Sequence, residues 1–287
     1  MSKPSASKLL EFQSPWFFES GIIRTFPCDG LSRADILLQI YRDESSRPYI
    51  LETTRDRRLQ FTCGATQSVM SLGDPDALVT AYARKMMAFL LFNSTPKHIL
   101  MIGLGGGSLA KFCYRHLPNA RLTVVEINAD VIALRDQFRI PPDDPRFEVV
   151  HEDGARYMET LRSQVDVILV DAFDATGIAT SLPQSKFYSC AAMQLSRNGV
   201  LVMNFSGQEE RYVENIRALR RTFRNRIVLV PVQDSENLVL FAMKRPVPRA
   251  ITLELDSAAK RLQTELQLEF PRYLRKICMA YRRSRLR

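Results

Sequence analysis

Asp171 and Asp174 stand three residues apart at the end of an apolar run that begins at Val165. Carboxylates are poor core residues. On a loop beyond a buried strand they suit the binding of a cationic amine and the removal of its proton. A solvated loop or a cap is the plain alternative. A second feature is Gly103-Leu104-Gly105-Gly106-Gly107-Ser108. Glycines here permit a tight turn and close approach of a ligand to the backbone. The third glycine of the dinucleotide fingerprint would fall at Ser108, so the spacing is G-x-G-x-G over Gly103, Gly105 and Gly107, a form common in S-adenosylmethionine-type sites. Glu126 follows Gly103 by 23 residues and can accept both hydroxyls of a ribose, in a nicotinamide or an adenosylmethionine ligand. Asp153-Gly154 can take an adenine amino group on its carboxylate and ring nitrogens on its backbone. Asp153 equally suits a helix N-cap.

These residues need strands to end beneath them. From residue 97 apolar strands alternate with helical segments: strands over His98–Gly103, Leu122–Glu126, Phe147–His151, Val165–Asp171 and Gly199–Phe205, and helices over Ser108–Leu117, Ala129–Phe138, Gly154–Arg162, Gln184–Leu195 and Gln208–Phe223. Such alternation predicts βαβ units and a parallel sheet covered on both faces. Two further strands, Arg226–Val232 and Leu238–Met243, are close enough to form a closing hairpin. That ending is typical of the class I methyltransferase fold and not of nicotinamide-binding domains. Upstream, Ile36–Arg42, Tyr49–Thr53, Arg58–Thr62 and Thr66–Met70 are predicted as strands of a small antiparallel sheet. Residues 75–93 are predicted as one helix, with Asp74 as N-cap and Pro75 in the first turn.

The 287 residues are 46% hydrophobic and 25% charged, which excludes a disordered or fibrous chain. No apolar run approaches the ~20 residues that span a bilayer, and the N-terminus lacks the apolar core of a signal peptide. Five scattered cysteines without a CxxC pair, and three histidines, suggest a reduced cytoplasmic setting and no structural zinc. The net charge is +9, yet residues 272–287 hold seven basic side chains and no acid, so the rest carries only +2. Leu274, Ile277, Cys278 and Tyr281 fall at helical spacing, which predicts a terminal helix docked by one face with a solvated basic side. Contact with a polyanion is the sharper alternative, but no nucleic-acid motif supports it. Trp16, with Phe17 and Phe18, is expected to pack the N-terminal domain or a dimer interface.

The ordered set Thr66-Gln67-Ser68, Asp76 with Tyr82, the glycine turn, Val125-Glu126-Ile127, Asp144-Pro145-Arg146, Asp153-Gly154, Asp171 with Asp174, Phe187-Tyr188 and Asn198-Gly199-Val200 resembles the spermidine synthase family of polyamine aminopropyltransferases. The resemblance implies a small β domain ahead of a Rossmann-like catalytic domain, often in a dimer. It implies transfer of an aminopropyl group from decarboxylated S-adenosylmethionine to an amine, with no metal or tightly bound cofactor. It makes Asp171 the base and lets Asp174 orient the amine. Tyr82 lies beside the amine, Gln67 touches the donor, Glu126 holds the ribose and Asp153 the adenine. The chain departs from the family where Gly106 replaces an aspartate that binds the donor's ammonium, Arg84 replaces a glutamate, Ala88 replaces a donor-binding histidine, and Ala172-Phe173 replaces a Ser-Ser pair. An unpaired buried ammonium is costly, so intact S-adenosylmethionine becomes an alternative donor and methyl transfer an alternative reaction. A non-catalytic homologue is the third possibility.

The expected architecture is a β domain over 1–73, a Rossmann-like class I methyltransferase fold over 74–250 with a seven-stranded sheet ending in a hairpin, and a basic helical tail over 251–287. The expected protein is a cytoplasmic transferase and homodimer acting on a polyamine or diamine, without membrane or nucleic-acid partners.

Overall fold

The computed structural model describes residues 9–174, 177–178, 184–205, 212–233, 235–246 and 252–285. The chain divides into two compact units.

The first unit comprises Met1–Val79, Leu104–Phe112 and Asn128–Pro142. Strands β1 (Leu10–Gln13), β2 (Ile22–Thr25), β3 (Tyr49–Glu52), β4 (Asp56–Thr62) and β5 (Ala65–Ser71) form a five-stranded antiparallel sheet in sequential order. Between β2 and β3 runs helix α1 (Arg33–Tyr41), which corrects the strand expected over Ile36–Arg42. The decisive signal is local. Ser32 and Asp35 form a capping box, with Ser32 accepting from the Asp35 N–H and Asp35 accepting from the Ser32 N–H at 3.0 Å. Ile36 and Ile40, one turn apart, then face the core beside Ile23, Tyr49, Leu51 and Trp16. Trp16 is buried and stacks on Tyr41. Phe17 and Phe18 are not part of that core: they are 96% and 63% exposed. The helix expected over Ala129–Phe138 is shorter. Helix α4 (Ala129–Ala133), capped by Asn128, gives way to a 3-10 turn over Arg135–Phe138, and the chain leaves through Arg139 in the left-handed region.

The second unit comprises Thr80–Gly103, Cys113–Ile127 and Asp143–Arg287. Helix α2 (Ala81–Met86) runs into a 3-10 segment over Met87–Leu91. The single helix expected over residues 75–93 is therefore wrong at both ends. Asp74 closes a turn with the Ala77 N–H instead of capping. Met86–Leu91 is buried throughout, so its run of apolar residues carries no helical period. Then follow β6 (His98–Ile102), α3 (Ser108–His116, which crosses the division), β7 (Arg121–Glu126), β8 (Phe147–His151), α5 (Gly154–Thr160), β9 (Val165–Val170), the two-residue strands β10 (Phe173–Asp174) and β11 (Gly177–Ile178), α6 (Gln184–Gln194), β12 (Leu195–Phe205), α7 (Val213–Thr222), β13 (Ile227–Pro231), β14 (Leu238–Met243), α8 (Thr252–Leu266) and α9 (Phe270–Arg285).

Seven strands form one sheet in the order β13-β14-β12-β9-β6-β7-β8. The five strands β12, β9, β6, β7 and β8 are parallel, and β14 pairs antiparallel with both β12 and β13. This is the Rossmann-like class I methyltransferase arrangement, closed by a hairpin and preceded by an antiparallel sheet. The central strands are apolar on both faces: Leu100, Ile168 and Leu201 on one side and Ile99, Val167 and Val202 on the other are each at 0% exposure. Helix α9 docks through Phe270, Tyr273, Leu274 and Ile277, all buried, while Cys278 and Tyr281 sit half-buried. The side chains from Arg282 onward lie outside the described residues. Among the described residues no helix is long and apolar enough to cross a membrane.

Candidate active site

The second unit gathers its chemistry at the carboxyl ends of its parallel strands. The connections β6 to β7 to β8 run one way across the sheet, and β9 lies on the other side of β6. The gap between β6 and β9 is thus the switch point where open α/β sheets bind ligands. Gly103 ends β6 there. Its φ of +95° and the 2.4 Å that would separate a Cβ from the Asp171 carbonyl oxygen leave only glycine tolerable. Its N–H donates to the Val125 carbonyl at 2.9 Å, and the Asp171 N–H donates to the Ile102 carbonyl at 3.0 Å. The backbone after β6 is so tied to its neighbours on both sides.

Asp171 follows β9. Its Oδ1 accepts from the side-chain amide of Asn204, near the end of β12, at 3.0 Å. It also accepts from the Tyr82 hydroxyl, on α2, and the Thr80 hydroxyl donates in turn to Tyr82. Burial pushes the Asp171 carboxyl above its ordinary 3.8, and the two donors pull it back only in part. Burial and the neighbouring Asp171 hold Tyr82 well above 10.0, so the phenol keeps its proton and remains a donor. The result is an ionisable carboxylate with raised basicity, oriented by two neutral donors. That is a competent proton acceptor.

Glu126 ends β7 and is buried at 8% exposure. Asp153 follows β8 and caps α5, accepting from Ala155 and Arg156 N–H groups through one oxygen, Oδ1, at 2.9 Å each. Gly154 packs its backbone on Ile102. Glu126, Asp153, Gly154, Gly103, Asp171 and Tyr82 therefore all lie within one unit. The side chain of Asp174 lies outside the described residues; its backbone pairs with Gly177. Gln67, Gly105 and Gly107 belong to the first unit, where Gln67 is exposed on β5 and Gly107 packs on Ile140. In the same unit a Cβ at Gly106 would lie 2.7 Å from Ser68 Oγ and 3.0 Å from Phe138. An aspartate at 106 would need both neighbours to shift.

Sequence reasoning did not single out Thr80, Asn204 or Asn237. Asn204 had a signal, since it is the one amide in the apolar run Val200–Phe205. Asn237, which donates to Asn204 at 2.9 Å, had none. Lys85 was also missed. It lies three residues beyond Tyr82 on α2 and is buried, donating to the Pro231 carbonyl at 2.5 Å. Burial, with help from Lys276 and Arg272, brings it down to about 8. Arg84 lies close enough to Tyr273 on α9 to act on its hydroxyl, and Ala88 is buried. His98 bonds Thr123 and His151 bonds the Ile127 carbonyl, so each has a structural partner.

Residues 79–237 match the spermine/spermidine synthase domain. The chain belongs to this family. A polyamine aminopropyltransferase of Chromobacterium violaceum is 37% identical over 229 residues, covering 79% of this chain and 88% of the relative. As a spermine/spermidine synthase family member the protein is a transferase. Its fold is shared with a spermidine synthase solved in complex with the transition state analogue AdoDATO, at a TM-score of 0.56, 21% identity and coverage of 78% and 86% of the two chains. It is shared equally with human methyltransferase-like protein 13 in complex with SAH, at a TM-score of 0.58, 24% identity and coverage of 66% and 93%.

Proposed function

We propose that this chain transfers an aminopropyl group from decarboxylated S-adenosylmethionine to a polyamine or diamine, with Asp171 as the base. The observation that carries this is Asp171 itself, half-buried at the switch point, raised in basicity and held by Tyr82 and Asn204. An amine lone pair attacks the carbon next to sulfur, a C–N bond forms as the C–S bond breaks, and the sulfur leaves as a neutral thioether. The new ammonium gives its proton to Asp171. The sulfonium is already a good leaving group, so the protein's task is alignment and proton removal. Glu126 holds the ribose and Asp153, with Gly154, the adenine. By family resemblance Gln67, Gly105 and Gly107 are further donor contacts, and Asp174 orients the amine.

One observation favours a second reaction. Ser68 and Phe138 occupy the room an aspartate at Gly106 would need, so the donor's ammonium loses that partner. On this second reading the donor keeps its carboxylate, as S-adenosylmethionine does, and the outcome is methyl transfer or binding alone. Calorimetry with the two nucleotides separates the readings. Tighter binding of the decarboxylated form supports aminopropyl transfer, and tighter binding of the intact form supports methyl transfer.

A further inference from the structure

The side chain of Asp171 as a carboxylate can only accept hydrogen bonds. The amide nitrogen of Asn204 must therefore face it, as it does at 3.0 Å, which turns the Asn204 oxygen the other way. That oxygen accepts from Nδ2 of Asn237 at 2.9 Å. Asn204 is 3% exposed, so no bulk water stands ready to replace either bond. Asn237 is itself fixed at the end of the β13–β14 hairpin. Its N–H donates to Ser235 Oγ at 3.2 Å and its carbonyl accepts from the Val232 N–H at 2.9 Å.

We propose that Asn237 is a positioning residue for the reaction: it fixes which way the Asn204 amide points, and through that amide it aims the Asp171 carboxylate. The closing hairpin thereby has a role in the chemistry, because it carries the far end of a relay that runs Asn237 to Asn204 to Asp171. The proposal rests on Asp171 being the base.

Asn237→Asp has a particular consequence. Asn204 then lies between two acceptors and has one NH2 group to share. Turned toward residue 237, it presents its oxygen to Asp171, removes a donor from the charged carboxylate and leaves that carboxylate easier to protonate. Asn237→Ala removes the lock without adding an acceptor and gives a smaller effect in the same direction.

The test uses the full chain. The infrared C=O band of protonated Asp171, assigned by its absence in Asp171→Asn, is titrated in the ligand-free protein, and kcat and KM for the amine are measured alongside. In Asn237→Asp the band is expected to titrate at higher pH than in the parent. kcat is expected to fall roughly tenfold, the scale of one hydrogen bond to a charged group, with KM changed less than twofold. Should Asn237→Asp fail to fold, Asn237→Ala is expected to show the smaller shift. An Asp171 band that titrates unchanged in the folded variants, or a rate loss equal at every pH, overturns the role of Asn237. Full activity in Asp171→Asn overturns the base itself and is a separate result.

Discussion

Asp171 accepts from Tyr82 and Asn204 yet remains more basic than an ordinary carboxylate because its burial outweighs both donors. Two consequences follow for Asp171→Asn. Amine transfer is expected to fall by roughly 10²–10⁴, the usual worth of a positioned base, in steady-state kcat/KM. Stability is expected to move the other way. An acid whose folded value is raised holds its proton longer in the folded chain, so folding stability is fullest at low pH and is lost as pH rises through the folded value. Asp171→Asn escapes that loss. Thermal melts are expected to show the variant more stable at pH 7, with the difference vanishing below pH 3.8, the ordinary value. At this scale the sequence was informative where chemistry and position coincide. Asp171 and Glu126 each end an apolar run, Asp153 follows the mixed run Phe147–His151 by two residues, and each lies at the carboxyl end of a parallel strand. Asn237 was illegible because its importance comes from a contact 33 residues away in the chain with Asn204.

Helix α2 carries Tyr82 toward Asp171 and Lys85 toward the Pro231 carbonyl. Lys85 is a buried cation without a described carboxylate partner, with Lys276 and Arg272 adding repulsion. For a base held at about 8 instead of 10.5, the cost of burial is fully present below pH 8. It is relieved as pH rises from 8 toward 10.5, because the folded chain releases the proton first. Lys85→Met is expected to stabilise the protein at pH 7 by up to about 3 kcal/mol, measured by denaturant unfolding, and to lose that advantage above pH 10. Helix α1 is expected to respond to Ser32→Ala with a loss of about 1 kcal/mol, since the capping box disappears. The parallel strands were legible because burial on both faces writes a continuous apolar run. The helices were less so. The β-branched and aromatic content of Ile36–Arg42 suggested a strand, and the cap at Ser32 and Asp35 overrode it. Met86–Leu91 is buried on every side, so no polar face marks where α-helix becomes 3-10 turn.

Across the whole molecule the net charge of +9 is concentrated at the C-terminal end, with seven basic residues in 272–287. Helix α9 buries Phe270, Tyr273, Leu274 and Ile277 and packs on β13, while Arg275 is exposed. The helix is thus expected to matter through its apolar side. Deleting residues 252–287 is expected to lower the melting temperature of the protein markedly, whereas Arg275→Gln leaves it within about 1 °C, as surface changes usually do. Gly106 stands in the glycine turn where the family resemblance implies an aspartate, and the proposed chemistry turns on which donor that leaves room for. The most direct measurement is mass spectrometry of the products formed from each nucleotide donor and a panel of diamines, with Asp171→Asn in parallel. The expected result is a diamine lengthened by one aminopropyl unit, formed from decarboxylated S-adenosylmethionine and lost in Asp171→Asn. A diamine carrying one methyl group, or an aminopropyl product undiminished in that variant, would contradict the account.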